Sequence, residues 1–475
     1  MDPLARARAK RLEGAIALTN FRSEISSAIL LDAARAFVPL EPGRARDTLL
    51  DALEAVHYTG GVGRAAEYLD ALQAVRDLPL SSDSQASIPE LLLLGFAAHA
   101  KRRYPEAAVL FRRAIAAVHE APDLRYFPPA YRAAWELLDH HEVMKLVRQW
   151  VHVAREQGAL SSLATALAVL AFGEVVSGRL GTAEATVAEA QEFWAASGKR
   201  PTLVTVLAPM AWRGREEAVR ATAGELRQGW RGFGLALSNI DLYLVWLELG
   251  LGNYDAALTV AMGLYVEDPL TVGTSAIPEM VEAAVRCGDR PAALAALDRL
   301  SSRALAGDAA WGLGLLARSR ALLADDANAE RYYREAIDHL EQGDTAVDLA
   351  RAHLLYGEWL RRRRRRVDSR VQLRTAQDMF NAMGAGAFAG RARTELLATG
   401  GRARQRSDEA RDELTPQEDR VARLAARGAS NQEISAQMFI SPATVAYHLR
   451  NVFRKLDVSN RAHIQRALAE RDSTS

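Results

Sequence analysis

Cysteine is almost missing from this chain: Cys287 stands alone among 475 residues. That excludes an intramolecular disulfide and a zinc site built on paired cysteines. Lysine is nearly as scarce, at positions 10, 101, 145, 199 and 455 only. A glycine-rich nucleotide loop needs a lysine after its glycines to meet the phosphates. None of the five stands in such a context. The nearest imitation, Gly60-Gly61-Val62-Gly63-Arg64, lacks the Lys-Ser/Thr pair and reads as an inter-helix turn. No stretch approaches the roughly 20 apolar residues of a membrane span, and the basic start has no apolar run long enough for a signal peptide. These absences predict a reduced, cytoplasmic protein with no membrane partner. No nucleophile–base pair and no metal-ligand constellation appears, so no catalytic residue, metal or cofactor is expected. His140-His141 beside Asp139 is the nearest approach to a metal site. Adjacent residues on a helix diverge by about 100° and converge poorly on one ion. The formal net charge is +1, so any nucleic-acid surface must be local.

What is present is helix. Aromatics make up 7% and apolar residues 49%, with alanine and leucine prominent, a balance that favours helices over sheets. In LLLLGFAAHAKRRYPEAAVLFRRAIAAV, residues 91–118, small residues fall at Gly95, Ala107 and Ala114, with Phe111 between the last two. Such small residues let two antiparallel helices approach while an aromatic fills the gap beside them. The pattern recurs at Ala171, Ala183, Val187 and Ala190, at Ala257 after the turn Gly252-Asn253-Tyr254, and at Ala329, Tyr333 and Ala336. Residues 349–360, LARAHLLYGEWL, read as the first helix of a last pair. These segments resemble degenerate tetratricopeptide repeats, which stack into a curved solenoid because no single unit can bury its own faces. The array is expected over residues 1–398. An exposed linker without an apolar stripe, 399–412, should end it. The eight tryptophans are expected mainly in the core, with one or two free to line a concave ligand surface. Arg361 to Arg366 reads as the solvated end of a helix and its turn.

Residues 413–471 are patterned differently. LTPQE places Thr415 as a helix cap, Pro416 at the first helical position and Glu418 to close a capping box. SNQEIS repeats the device with Ser430 and Glu433. After a turn at Phe439-Ile440, Ser441 and Pro442 open a third helix carrying Val445, Leu449, Val452, Phe453 and Leu456 at spacings of three and four, which must face a core. A fourth helix should start at Ser459, with Ala462, Ile464, Ala467 and Leu468 inward. Four short capped helices, the second and third joined by a tight turn, make a helix-turn-helix.

LTPQE, SNQEIS and ISPATVAYHLRNVFRKLDV, followed by Arg461, resemble in order the LuxR-type (NarL/FixJ-type) DNA-binding domain. Departures are Asp457 where the family usually has glycine, Ser435 for the usual alanine, and Ala446 where many members carry lysine or glutamate. The expected fold class is therefore all-α: a tetratricopeptide-like solenoid followed by a small four-helix helix-turn-helix domain. Arrays of this kind joined to this domain are similar to the carboxyl part of the large ATP-dependent LuxR regulators. The nucleotide-binding module of those proteins is missing, so the chain reads as a natural short member or as the carboxyl part of a longer product.

The resemblance implies a transcription regulator whose partner is double-stranded DNA. It places Ala446, Tyr447 and Arg450 against bases in the major groove. Asn431, Ser441, Thr444, His448, Arg454 and Lys455 become candidates for the phosphate backbone. Family members commonly dimerise through the fourth helix, which makes Arg461, His463, Ile464 and Leu468 candidates for a homodimer contact, with an internal core role open for Ile464. Nine positive against seven negative side chains in 413–475 leave a net +2, so one copy should bind weakly at physiological salt and two neighbouring copies more tightly. The array is expected to receive a protein or small-molecule effector, and RNA polymerase is a further candidate partner. The alternative reading is an interaction scaffold whose helix-turn-helix serves as a docking module; Ala446 and the small net charge speak for it.

Overall fold

The computed structural model describes residues 2–19, 23–59, 86–196, 204–230, 233–400, 414, 416–438, 442–456, 458, 460–465 and 467–468. The linker residues 401–412, the glycine turn at 60–64, Thr415, Phe439, Ile440, Ser441 and Ser459 lie outside them.

Every regular element among the described residues is helical. The array runs α1 (Pro3–Thr19), α2 (Ser23–Phe37), α3 (Pro42–Thr59), α4 (Ile88–Ala100), α5 (Tyr104–Glu120), α6 (Phe127–Glu136), α7 (His140–Glu156), α8 (Leu160–Val176) and α9 (Leu180–Ala196). It continues as α10 (Leu207–Arg213), α11 (Glu216–Gly229), α12 (Gly234–Leu251), α13 (Tyr254–Glu267), α14 (Val272–Cys287) and α15 (Arg290–Gly307). Its last members are α16 (Ala310–Leu323), α17 (Asp326–Glu341), α18 (Ala346–Arg362), α19 (Arg366–Met383) and α20 (Gly386–Ala398).

Local chemistry sets the boundaries. Asp139, Asp289 and Asp325 each accept a backbone N–H from three residues on, at 3.0–3.1 Å, which satisfies a donor the helix leaves orphaned. Gly252 and Gly288 end α12 and α14 at φ of +82° and +78°, a left-handed conformation that costs glycine least.

Helices adjacent in the chain pack against each other, and small residues set how closely. A Cβ built on Gly95 would lie 2.6 Å from Phe111 Cδ1, and one on Gly357 the same distance from Leu373 Cγ. Gly14 meets Leu30 identically. Each glycine faces a large side chain sixteen residues on, the same place in three helix pairs. The repeat positions read from sequence are buried accordingly: Ala107, Phe111, Ala114, Ala171, Ala183, Val187, Ala190, Ala257, Ala329, Tyr333 and Ala336 are at most 3% exposed.

The array then coils back on itself. α3 meets α12, α5 meets α15, α8 meets α18 and α12 meets α20. α12 is the one helix among the described residues long and apolar enough to cross a membrane, and most of it is buried inside the array.

Buried charge ties the turns together. Glu136 accepts from Thr271 N at 2.6 Å and Thr274 Oγ1 at 2.5 Å, with His99 Nε2 at 2.9 Å and Arg303 Nη1 at 3.6 Å. Glu282 accepts from Arg351 at 2.6 Å and from Arg391 at 2.7 Å; Arg351 also donates to Glu279, and Arg391 and Arg286 to Glu358. Burial opposes ionisation of Glu282, but the guanidinium groups of Arg391 and Arg351 reverse that and hold its carboxyl far below the usual range. Such clusters fix geometry more than they add stability, because desolvation offsets much of the attraction.

Three arginines of the run 361–366 are engaged in ion pairs. Arg361 pairs with Glu395 at 2.6 Å, Arg363 with Asp326, and Arg365 with Glu330 and Asp368. Asp139 serves as a cap, the His140 ring is buried with Nε2 3.0 Å from Ser177 Oγ, and His141 is exposed. The three do not converge.

Candidate nucleic-acid interface

The terminal segment folds as α21 (Pro416–Ala426), α22 (Asn431–Met438) and α23 (Pro442–Lys455), followed by a 3-10 turn (Arg461–His463) and by helical residues at 464–465 and 467–468. Its core is Val421, Ala422, Ala425, Ile434, Val445, Leu449, Val452, Ile464 and Leu468. Leu424, Met438, Phe453 and Leu456 pack around it half-buried. Ala422 completes the buried stripe of α21 next to Val421.

The second capping box is formed. Ser430 N–H donates to Glu433 Oε2 at 2.6 Å, and Glu433 N–H donates to Ser430 Oγ at 3.3 Å. The bond from the Ser430 backbone lowers the Glu433 carboxyl pKa. The start of α22 is pinned a second time by Arg461, which donates to Asn431 Oδ1 at 2.8 Å and to the Ala429 carbonyl.

With Val445, Leu449 and Val452 inward, Arg450 is exposed and Ala446 half-buried. Tyr447, Thr444, Arg454 and Lys455 lie on the same helix, but their side chains are outside the described set. The α23 helix also approaches α9 of the array.

Three expectations change at this level. His448 is 5% exposed; burial lowers its pKa, with Glu418 opposing the shift. A ring held inside the domain is poorly placed to touch a phosphate. Ile464 and Leu468, 0% and 7% exposed, spend their apolar surface on the domain's own core and leave little for a second copy. Arg461 and Asn431 are occupied with each other, so both act first as ties between the last turn and α22. His463 is exposed and keeps its place at the edge. Sequence spacing could not separate these cases, because a residue one position off a core stripe can turn either way.

Residues 412–468 match the family model for bacterial regulatory proteins of the luxR family. This segment is a LuxR-type helix-turn-helix domain. Over 58 residues the chain is 48% identical to a nitrate/nitrite response regulator protein homolog of Haemophilus influenzae, covering 12% of this chain and 28% of that protein. Over 62 residues it is 42% identical to a protein of Mycobacterium tuberculosis named as an HTH-type transcriptional regulator, covering 13% and 7%. The likeness to these relatives is thus confined to the LuxR-type domain. Among solved structures, a Rap protein complexed with competence and sporulation factor aligns over 84% of this chain and 98% of its own, at 12% identity and a TM-score of 0.35. The APC/C hetero-tetramer Cut9–Hcn1 aligns over 98% and 97%, at 12% identity and a TM-score of 0.39.

Proposed function

We propose that the chain is a DNA-binding transcriptional regulator. Its helical array receives a protein or small-molecule signal, and α23 of the LuxR-type domain enters the major groove of promoter DNA. The carrying observation is the exposed Arg450 on the side of α23 opposite the buried Val445, Leu449 and Val452. A guanidinium there can meet a guanine edge with two hydrogen bonds. Ala446 and Tyr447 are proposed as its neighbours on the bases. Ser441, Thr444, Arg454 and Lys455 are proposed on phosphates. The array is assigned to 1–398, the linker to 399–412 and the domain to 413–471. Binding as two copies on neighbouring half-sites is proposed through the exposed edge near His463, with RNA polymerase as a partner at the promoter and the cytoplasm as the setting.

The test is selection of random duplexes by the intact protein and by Arg450→Ala, at two salt concentrations. A motif enriched by the first and lost by the second supports base reading by α23, and a palindromic motif supports two copies. Salt-sensitive retention without any motif overturns base reading. No retention by the folded protein at either salt overturns the regulator reading in favour of a docking module.

A further inference from the structure

A cavity of about 380 Å³ opens between α3, α6 to α9, α12 and the start of α14. That lies within the range of small-molecule sites. Nine aromatic side chains among the described residues line its wall, including Tyr58, Trp150, Phe172, Trp194, Trp230 and Phe233. These six come from four helices and from Trp230 and Phe233 between α11 and α12, and neighbouring rings lie about 5–6 Å apart, as in Tyr58–Phe233 at 5.2 Å and Trp194–Trp230 at 6.3 Å. The solenoid needs no such gap. Elsewhere its interior is filled by alanine and leucine to near-complete burial.

Two further features mark this cavity as a site. Arg132 lines it at 2% exposure, with its guanidinium 5.3 Å from the ring centres of Tyr58 and Tyr131. Its Nη1 is bound to Glu54, which holds the guanidinium in place beside those two rings of the wall. Thr271, also in the wall, has a φ of +68°. For a β-branched residue that is a strained conformation, and it is held by the Glu136 carboxylate across the coil.

The chemistry of the occupant follows. An aromatic wall of this extent favours a flat apolar body. Arg132 and Glu54 cancel each other, so a charged guest would lose its hydration without gaining a partner of opposite sign. A guanidinium in the wall carries donors and no acceptor, so it favours a neutral guest with an acceptor oxygen. We propose that this cavity binds a neutral, flat, mainly apolar ring compound of roughly two or three rings, whose carbonyl or hydroxyl oxygen accepts a hydrogen bond from Arg132. This rests on the reading of the array as the signal-receiving part.

The test uses the intact protein and two probes of matched size, β-acetonaphthone and β-ethylnaphthalene, of which the first alone carries an acceptor oxygen. Trp135, Trp150, Trp194 and Trp230 line the cavity, so tryptophan fluorescence reports occupancy. A saturable change with both probes, about tenfold tighter for the ketone, supports the proposal. Ala168→Phe fills the cavity from a half-buried wall position and should weaken both probes at least about tenfold with the melting temperature unchanged. Arg132→Gln should remove the preference for the ketone.

No saturable signal from the folded protein with either probe overturns the site. So does full-strength binding to an Ala168→Phe protein that melts normally. Equal affinity for the two probes overturns the role of Arg132. Duplex binding by the same preparation is scored separately. If it fails while the probes bind, the regulator reading falls and the cavity stands.

Discussion

The carboxylate of Glu136 accepts the backbone N–H of Thr271 at 2.6 Å, across 135 residues of sequence. This single bond joins the end of α6 to the segment that starts α14 and holds a strained threonine in the wall of the cavity. Burial alone would raise the Glu136 pKa, but His99 and Arg303 reverse that and hold it at about 2. A carboxylate stabilised in this way adds stability above its ordinary pKa of 4.5, and the contribution is lost as pH falls from there toward 2. Glu136→Ala leaves Arg303 without one of its carboxylates and should cost about 3–5 kcal/mol, read by urea unfolding at pH 7. The same substitution should flatten the acid limb of the stability curve. An unchanged midpoint would show that the tie does not hold the coil.

Glu174 titrates in the opposite sense. Burial raises its pKa to about 7, although Thr186 Oγ1 donates to it at 2.8 Å. The folded state keeps this proton while the unfolded chain has already lost it, so stability declines as pH rises from 4.5 to about 7 and then stays lower. Glu174→Gln should be more stable than wild type at pH 8, by up to about 3 kcal/mol, and nearly equal to it at pH 4.5. Melting curves of both proteins at the two pH values decide this. Equal curves at pH 8 would place the proton elsewhere.

Gly357 faces Leu373 with no room for a methyl group. Gly357→Ala should overpack the pair α18–α19 and cost about 1–3 kcal/mol, despite alanine's better helix propensity. Leu373→Val alongside it should recover part of that loss. A neutral or stabilising Gly357→Ala in thermal unfolding would mean that this pair does not approach as closely as described.

Arg450 and Arg461 make a contrast within the terminal domain. Arg450→Ala removes an exposed side chain. It should leave melting unchanged and reduce specific duplex affinity by about 1–3 kcal/mol. Arg461→Ala removes the tie to Asn431 and Ala429 and should destabilise the domain by about 1–3 kcal/mol. Any loss of DNA binding should then follow the loss of structure. Circular dichroism melts beside fluorescence-anisotropy titrations separate the two outcomes. If Arg461→Ala melts normally yet binds DNA weakly, its role is on the duplex or a partner.

The amino-acid sequence by itself determined the helices, their caps and the small residues at helix pairs. Each of these depends on neighbours within a turn or on the next helix, as at Asp139, Gly95 and Ser430. The helix-turn-helix was legible for the same reason, since its caps, stripe and turn are short-range signals set in a fixed order. Tertiary structure decided the rest. How far the array coils is a sum of small rotations between successive helices, and no local pattern encodes that sum. Only the coil brings Glu136 to Thr271, Glu282 to Arg351 and Arg391, and the tryptophans of α6, α7 and α9 around one cavity. Inside the terminal domain, too, spacing set Leu468 inward and Arg450 outward, but folding alone turned His448 inward, because burial at the edge of a stripe is settled by what packs against the helix.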